Sequence, residues 1–208
     1  MIHGADALRC LAELRTEQIV VSTMTTARLW PLVSTRKDLD LPISNCMGKA
    51  SSVALGLALG GPERDVWLLD GDGSLAMNLG VLLSVVQAQP HNLVYFVFDD
   101  GVYTTVGGSP IPAARTADYA AMALGAGFPT AVTFDAFEMF QRELPLIMQG
   151  TRPLFVRILI DHWDGLGEYG PMTQQVMDDR LIAAAHRFWA FRYRLTGMGP
   201  ERLPVETE

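Results

Sequence analysis

Two stretches decide the fold: DVWLLDGDGS over 65–74 and NLVYFVFDDG over 92–101. Each is a short run of aliphatic, aromatic and β-branched residues that stops at aspartate and glycine. Neither run alternates polar with apolar, so each predicts a strand covered on both faces. Between them Leu75 to Ala88 reads as one apolar helix, mostly buried, which Pro90 prevents from continuing. A strand, a helix and a second strand in that order form a unit of a parallel sheet. Open sheets of this kind bind ligands beyond the C-terminal ends of their strands, where both Asp-Gly segments fall.

Working outward, Ala5, Leu8, Leu11 and Leu14 make the apolar stripe of a helix. Ile19-Val20-Val21 is a short buried strand that runs into the polar segment STMTT at 22–26. Residues 31–46, with Pro31, Pro42 and mixed charge, read as loop. Met47 to Leu59 is a helix of small residues, able to approach a sheet or another helix closely. Residues 107–117 read as loop, helices are expected at 118–125 and 135–148, and Leu154 to Ile160 is a strand opened by Pro153. The expected architecture is α/β, three-layered (α/β/α) around a mostly parallel central sheet. Residues 1–165 form that domain. Residues 166–208 form a C-terminal helical extension, with a helix near 172–194 and Trp189, Phe191 and Tyr193 on a face that packs on the domain or a partner chain.

The chain has 208 residues, with 16 Lys and Arg against 23 Asp and Glu, a net charge of −7. This acidic balance argues against nucleic-acid binding, which needs clustered cations. Hydrophobic residues make up 49% and charged residues 19%, below the roughly 25% charge of an average chain. Either the core is large or another subunit covers part of the surface. The two cysteines, Cys10 and Cys46, build neither a disulfide framework nor a zinc ribbon, and a reducing, cytoplasmic setting is expected. MIHGADALRC at the start has no signal-peptide pattern. The uncharged run Gly73 to Phe98 contains Pro90 and several polar residues, so no membrane span is expected.

Gly71-Asp72-Gly73-Ser74 lets the backbone turn sharply and approach a ligand closely. A helix start behind it suits a phosphate, and Asp72 offers a hard oxygen to Mg2+. The plain alternative is an ordinary strand-to-helix turn with an Asx hydrogen bond. Asp99-Asp100-Gly101 shifts the balance. Adjacent strand ends lie about 5 Å apart, so Asp72 and one of Asp99 or Asp100 can reach one cation. Carboxylates that close repel each other unless a cation separates them.

With those residues in place, the sequence resembles the thiamine diphosphate (ThDP) enzymes, in the domain that binds the diphosphate. MGKASSVALGLAL (47–59), DVWLLDGDGSLAMNLGVL (65–82) and PHNLVYFVFDDGVYTTVGG (90–108) look like the C-terminal half of phosphonopyruvate decarboxylases and the β subunit of sulfopyruvate decarboxylases. The resemblance implies ThDP and Mg2+ as cofactors. It makes Asp72 and Asp100 the side-chain metal ligands and adds the backbone carbonyl of Val102. It sets Gly71, Gly73 and Ser74 against the diphosphate, with Thr23, Thr25, Tyr103 and Thr105 as further contacts. Met47 is the apolar prop that enforces the bent cofactor, and the backbone carbonyl of Asn45 accepts from its amino group.

Three residues depart from the family pattern. Met24 stands where glycine is common, and Val106 where some relatives carry a catalytic Glu. Asp100 replaces asparagine. Because Asp100 adds a negative charge beside the diphosphate, the site is expected still to bind Mg2+ but to depend more strongly on its concentration, and Asp100→Asn should leave cofactor binding intact or tighten it.

The resemblance also implies a partner. The family's catalytic Glu lies on a pyrimidine-binding domain, and the motifs here account for the other domain only. The expectation is a pyrimidine-binding (α) subunit, most simply in an α2β2 assembly. The substrate is a small anionic 2-oxo acid such as 3-sulfopyruvate or 3-phosphonopyruvate, released as an aldehyde and CO2. A ThDP-dependent carboligase of acetolactate or acyloin type, a cofactor-free Mg2+-binding regulatory module and a non-catalytic subunit stay open as alternatives. Arg28, Arg36 and Lys37 suit either an anionic substrate tail or solvated surface charge. His3, His91, His162 and His186 show no ligand spacing and are expected to be structural or at the surface.

Overall fold

The computed structural model describes residues 1–43, 46–114, 116–161 and 163. In chain order, α1 (Gly4–Leu14) precedes β1 (Ile19–Thr23), α2 (Met24–Val33), β2 (Asp40–Ile43), α3 (Ala50–Gly60) and β3 (Val66–Gly71). Then come α4 (Asp72–Ala76), α5 (Val81–Ala88), β4 (Leu93–Asp99) and the short strands β5 (Val102–Tyr103) and β6 (Ser109–Pro110). The last described elements are α6 (Tyr119–Ala126), β7 (Thr130–Phe134), α7 (Phe137–Ile147) and β8 (Leu154–Leu159).

Six strands form one sheet in the order β2-β1-β3-β4-β8-β7. Every pairing in it is parallel. β5 and β6 pair separately and antiparallel. Helices α1, α2 and α7 pack together on one side, while α3, α5 and α6 pack on the other. This is the expected three-layer α/β/α architecture. All seven residues of β4 are buried, which is why its sequence shows no alternation. Trp30, Trp67, Phe96 and Phe140 fill the core on the α1 side. Tyr95 and Phe155 meet on the opposite face of the sheet, ring centroids 5.3 Å apart.

Chain order reverses direction at β1. The chain moves outward from β1 to the edge strand β2, then returns to β3 on the other side of β1. The C-terminal ends of β1 and β3 therefore flank a topological switch point, the crevice where such sheets hold ligands.

Three expectations need correction. Residues 31–46 are not simply loop: α2 continues through Pro31 to Val33, and β2 forms the sheet edge. Pro42 is tolerated there because an edge strand leaves one row of N–H groups unpaired. Leu75 to Ala88 is not one buried helix. α4 ends at Ala76, hydrogen bonds tighten to i+3 spacing from Leu75 to Leu83, and α5 then begins. Met77 and Leu83 on this stretch are 58% and 63% exposed. The third correction is β7, which has no counterpart in the sequence reading. No described helix is long and apolar enough to cross a membrane. The extension expected from residue 166 lies outside the described residues.

Candidate active site

A cleft of about 380 Å³ opens at the C-terminal ends of β1, β3 and β4. Its floor is the turn that leaves β3. Asp72 begins α4 and is almost fully buried. Its Oδ1 accepts from Gly73 N–H at 2.8 Å, and its Oδ2 accepts from Gly101 N–H at 2.8 Å. One carboxylate thus ties the end of β3 to the loop after β4. Gly73 is needed for a close approach: a Cβ there would lie 2.7 Å from the ring of Tyr103 and 3.2 Å from Ile111.

Beneath this turn lies a buried polar chain. Tyr95 hydroxyl donates to Asp70 Oδ2 at 2.8 Å, and Gly71 N–H donates to Asp70 Oδ1 at 2.9 Å. Burial pushes the Asp70 carboxyl up to about 6, against the opposing pull of Ser74, Tyr95 and the Gly71 N–H. Ser74 in turn holds the next segment: its Oγ accepts from Gly48 N–H at 3.0 Å. Asn78 Nδ2 donates to the Gly48 carbonyl at 2.7 Å. Gly48 has φ +72 and sits 3.1 Å, by its would-be Cβ, from Asn78. Both peptide faces of Gly48 are therefore clamped, which fixes Met47 at the wall of the cleft.

The acidic residues converge as the strand register requires. Gly71 on β3 pairs with Phe98 on β4, so the residues that follow on each strand share one end of the sheet. Burial first, then Asp99 and Asp100 beside it, push the Asp72 carboxyl up to about 9, partly offset by the Gly101 N–H. Asp99 is neutralised locally: Arg157 Nε and Nη2 each lie 2.7 Å from its Oδ2. Arg157 also reaches the Ala117 carbonyl at 2.9 Å. Asp100 Oδ1 accepts from Val102 N–H at 3.0 Å. Its Oδ2 accepts from Trp163 Nε1–H at 2.8 Å and from the Thr104 hydroxyl. With Asp99 paired to Arg157, the carboxyl groups that line the cleft are those of Asp72 and Asp100.

The opposite wall comes from β1 and α2. Thr23 hydroxyl donates to the Ile43 carbonyl at 3.2 Å, and Thr25 is buried beside it in the cleft wall. Met24 has φ +52, a left-handed backbone that glycine adopts at least cost. Thr26, not singled out in the sequence, donates to the Leu69 carbonyl at 2.6 Å and so binds α2 to β3. Gly71, Ser74, Val102, Tyr103 and Thr105 complete the lining named from the sequence. Thr104 and Trp163 also line the cleft; no local signal marks Trp163, which follows β8. Asn45, His162 and His186 lie outside the described residues, and so do Trp189, Phe191 and Tyr193.

The remaining candidates sit elsewhere. Arg28 lies on α2, and Arg36 pairs with Glu17 and, at 3.1 Å, with Asp38. Neither these nor Lys37 belong to the cleft lining. His3 precedes α1 with Nδ1 3.9 Å from Asp6, and His91 is in the turn before β4.

Comparison with known proteins adds an independent finding. Residues 19–158 match the family model described as "Thiamine pyrophosphate enzyme, C-terminal TPP binding domain". A phosphonopyruvate decarboxylase of Streptomyces viridochromogenes is 33% identical over 161 residues, 76% of this chain and 40% of that protein. The sulfopyruvate decarboxylase subunit beta of Methanothermobacter thermautotrophicus is 46% identical over 82 residues, 39% of this chain and 43% of that one. Its counterpart in Methanocaldococcus jannaschii is 35% identical over 97 residues, 47% and 50% of the two chains. This chain thus spans half or less of the length of each of these relatives. Among solved structures, benzoylformate decarboxylase from Polynucleobacter necessarius shares the fold, with a TM-score of 0.62 over 81% of this chain and 34% of that one at 19% identity.

Proposed function

Because the chain belongs to the thiamine pyrophosphate enzyme family, as its C-terminal TPP-binding domain, we propose that it is the diphosphate- and Mg2+-binding (β) subunit of a split 2-oxoacid decarboxylase. The observation that carries this is the meeting of Asp72, at the end of β3, with Asp100, after β4, in one cleft walled by Met47. The residues fit the cofactor. Two carboxylates and the Val102 carbonyl are hard oxygen donors of the kind Mg2+ takes. Burial, and after it the neighbouring carboxyls of Asp99 and Asp100, push the Asp72 carboxyl up, and a divalent cation would offset both. Bound there, ThDP supplies the nucleophilic carbon and the electron sink that decarboxylation of a 2-oxo acid requires.

The chain's own share is placement. Asp72, Asp100 and the Val102 carbonyl hold the cation. Gly71, Gly73 and Ser74 face the diphosphate from the floor, Thr23 and Thr25 from one wall, Tyr103 and Thr105 from the other. Met47 supports the cofactor from a turn that Ser74 and Asn78 clamp. Rigid placement of this kind lowers the barrier by removing orientational freedom in advance.

The named relatives act on phosphonopyruvate and sulfopyruvate, so an anionic 2-oxo acid of that kind is the substrate, with an aldehyde and CO2 as products. The β-subunit relatives support a partner subunit; this reading assigns it as the pyrimidine-binding chain that supplies the catalytic Glu, in an α2β2 assembly. The test is calorimetry of ThDP with Mg2+, on the chain alone and with the partner, followed by CO2 release from both acids. Binding that needs Mg2+ and disappears in Asp72→Ala supports the reading. A complex that takes up no ThDP sinks it, and a condensation product without an aldehyde points to the carboligase.

A further inference from the structure

Asp100 stands where the family resemblance leads to asparagine, and donors around its side chain supply a reason. Val102 N–H donates to Oδ1 at 3.0 Å. On the other side Trp163 Nε1–H donates to Oδ2 at 2.8 Å, joined by the Thr104 hydroxyl. Trp163 is buried, with its ring 5.3 Å from that of Phe98. A buried indole N–H needs an acceptor.

A carboxylate accepts at both ends, whereas an asparagine amide accepts at one end and donates at the other. With its nitrogen toward Trp163, two N–H groups would face each other. Flipped, its nitrogen would face the Val102 N–H instead. Either orientation leaves one donor of the pair without its acceptor. We infer that Trp163 is a positioning residue for Asp100: the indole selects a carboxylate at this position and holds it at the cleft that Asp72 also lines. The added negative charge then answers to the indole and the Val102 N–H, not to the cation. The metal half of this inference rests on the reading of Asp72 and Asp100 as Mg2+ ligands.

The test is a cycle in the full chain: Asp100→Asn, Trp163→Phe and the two together. Two quantities are read: the melting temperature without ligand, and the Mg2+ concentration for half-maximal ThDP binding, with the partner present if the wild type needs it. Asp100→Asn should lower the melting temperature, because one buried donor is left without an acceptor, and should raise the Mg2+ requirement about tenfold, because the amide must give up a donor to hold its oxygen toward the cation. Adding Trp163→Phe should bring both back toward the wild type. A merely structural tryptophan would give additive losses and no recovery of the Mg2+ requirement. If Asp100→Asn is too unstable to purify, recovery of a folded chain in the double variant is the same result. Wild-type Mg2+ affinity in Asp100→Asn overturns the inference, and so does a double variant no better than Asp100→Asn. A wild-type complex that binds no ThDP overturns the positioning role together with the proposed function. In that event coupled melting temperatures would leave Trp163 and Asp100 as a structural pair only.

Discussion

At the scale of single residues, the cleft depends on the absence of one carbon. A Cβ on Gly73 would come 2.7 Å from the Tyr103 ring, so Gly73→Ala must push that ring aside. Overpacking of this sort costs about 1–3 kcal/mol. The variant should melt earlier and bind ThDP more weakly, and Tyr103→Ala in the same chain should restore part of the stability but not the binding. An unchanged melting temperature in Gly73→Ala would contradict the packing. The two cysteines make a second contrast. Burial, with Glu13 beside it, pushes the Cys10 thiol up to about 11, whereas Cys46 is exposed next to Met47. The folded value lies above the unfolded value of about 8.5. The stability this thiol contributes is therefore complete below that pH and is lost as the pH rises toward 11. At pH 8 iodoacetamide should alkylate Cys46 and spare Cys10, read by peptide mass spectrometry. Equal labelling of both in the native chain would show that Cys10 is not sheltered.

At the scale of elements, the edge of the sheet is held by one buried ion pair. Arg15, just after α1, donates from Nη1 to Asp40 Oδ1 at 2.6 Å and to Ser34 Oγ at 2.8 Å. Trp30 Nε1–H on α2 donates to the same Asp40 oxygen at 2.9 Å. One carboxylate therefore joins α1, α2 and β2. Arg15 and Asp40 side chains are 2% and 6% exposed. Removing one partner of such a pair strands the other charge and costs about 3–5 kcal/mol. Asp40→Ala should lower the urea midpoint accordingly, although Asp40 is far from the cofactor residues in the chain. A loss below about 1 kcal/mol, the usual worth of an exposed pair, would show that the pair is not buried in solution. The split between α4 and α5 has a similar logic. The tightened turn at 77–80 exposes Met77 but brings Asn78 onto Gly48, and a continuous helix would not supply that clamp.

At the scale of the whole molecule, the strand order places the cleft at the switch point between β1 and β3 and gathers segments that are far apart in the chain. The exposed apolar side chains Met77, Leu83 and Leu124, together with the low charge content, fit a chain that buries surface against another. The expected outcome in sedimentation is an assembly, and co-expression with a pyrimidine-binding chain should yield a stable complex. A monodisperse monomer that decarboxylates the oxo acid without help would refute the split arrangement.

The sequence by itself determined the parallel α/β/α class and the strands β1, β3, β4 and β8. Interior strands of a parallel sheet are buried on both faces, and that burial leaves a continuous apolar run. It also determined that Asp72 and one of Asp99 or Asp100 would meet, since strand ends in one sheet are neighbours whatever surrounds them; the family resemblance alone singled out Asp100. The edge strands β2 and β7 were not legible. β2 has four residues and a proline, and β7 is mostly half-exposed, so neither carries an apolar run long enough to stand out. Tertiary structure alone decided that Tyr103 rests on Gly73, that Arg157 neutralises Asp99, and that Trp163, 63 residues from Asp100, takes its carboxylate. Local patterns report the period of a helix or strand. They do not report which distant side chain fills a given space, because packing and hydrogen-bond satisfaction are settled only when the layers close.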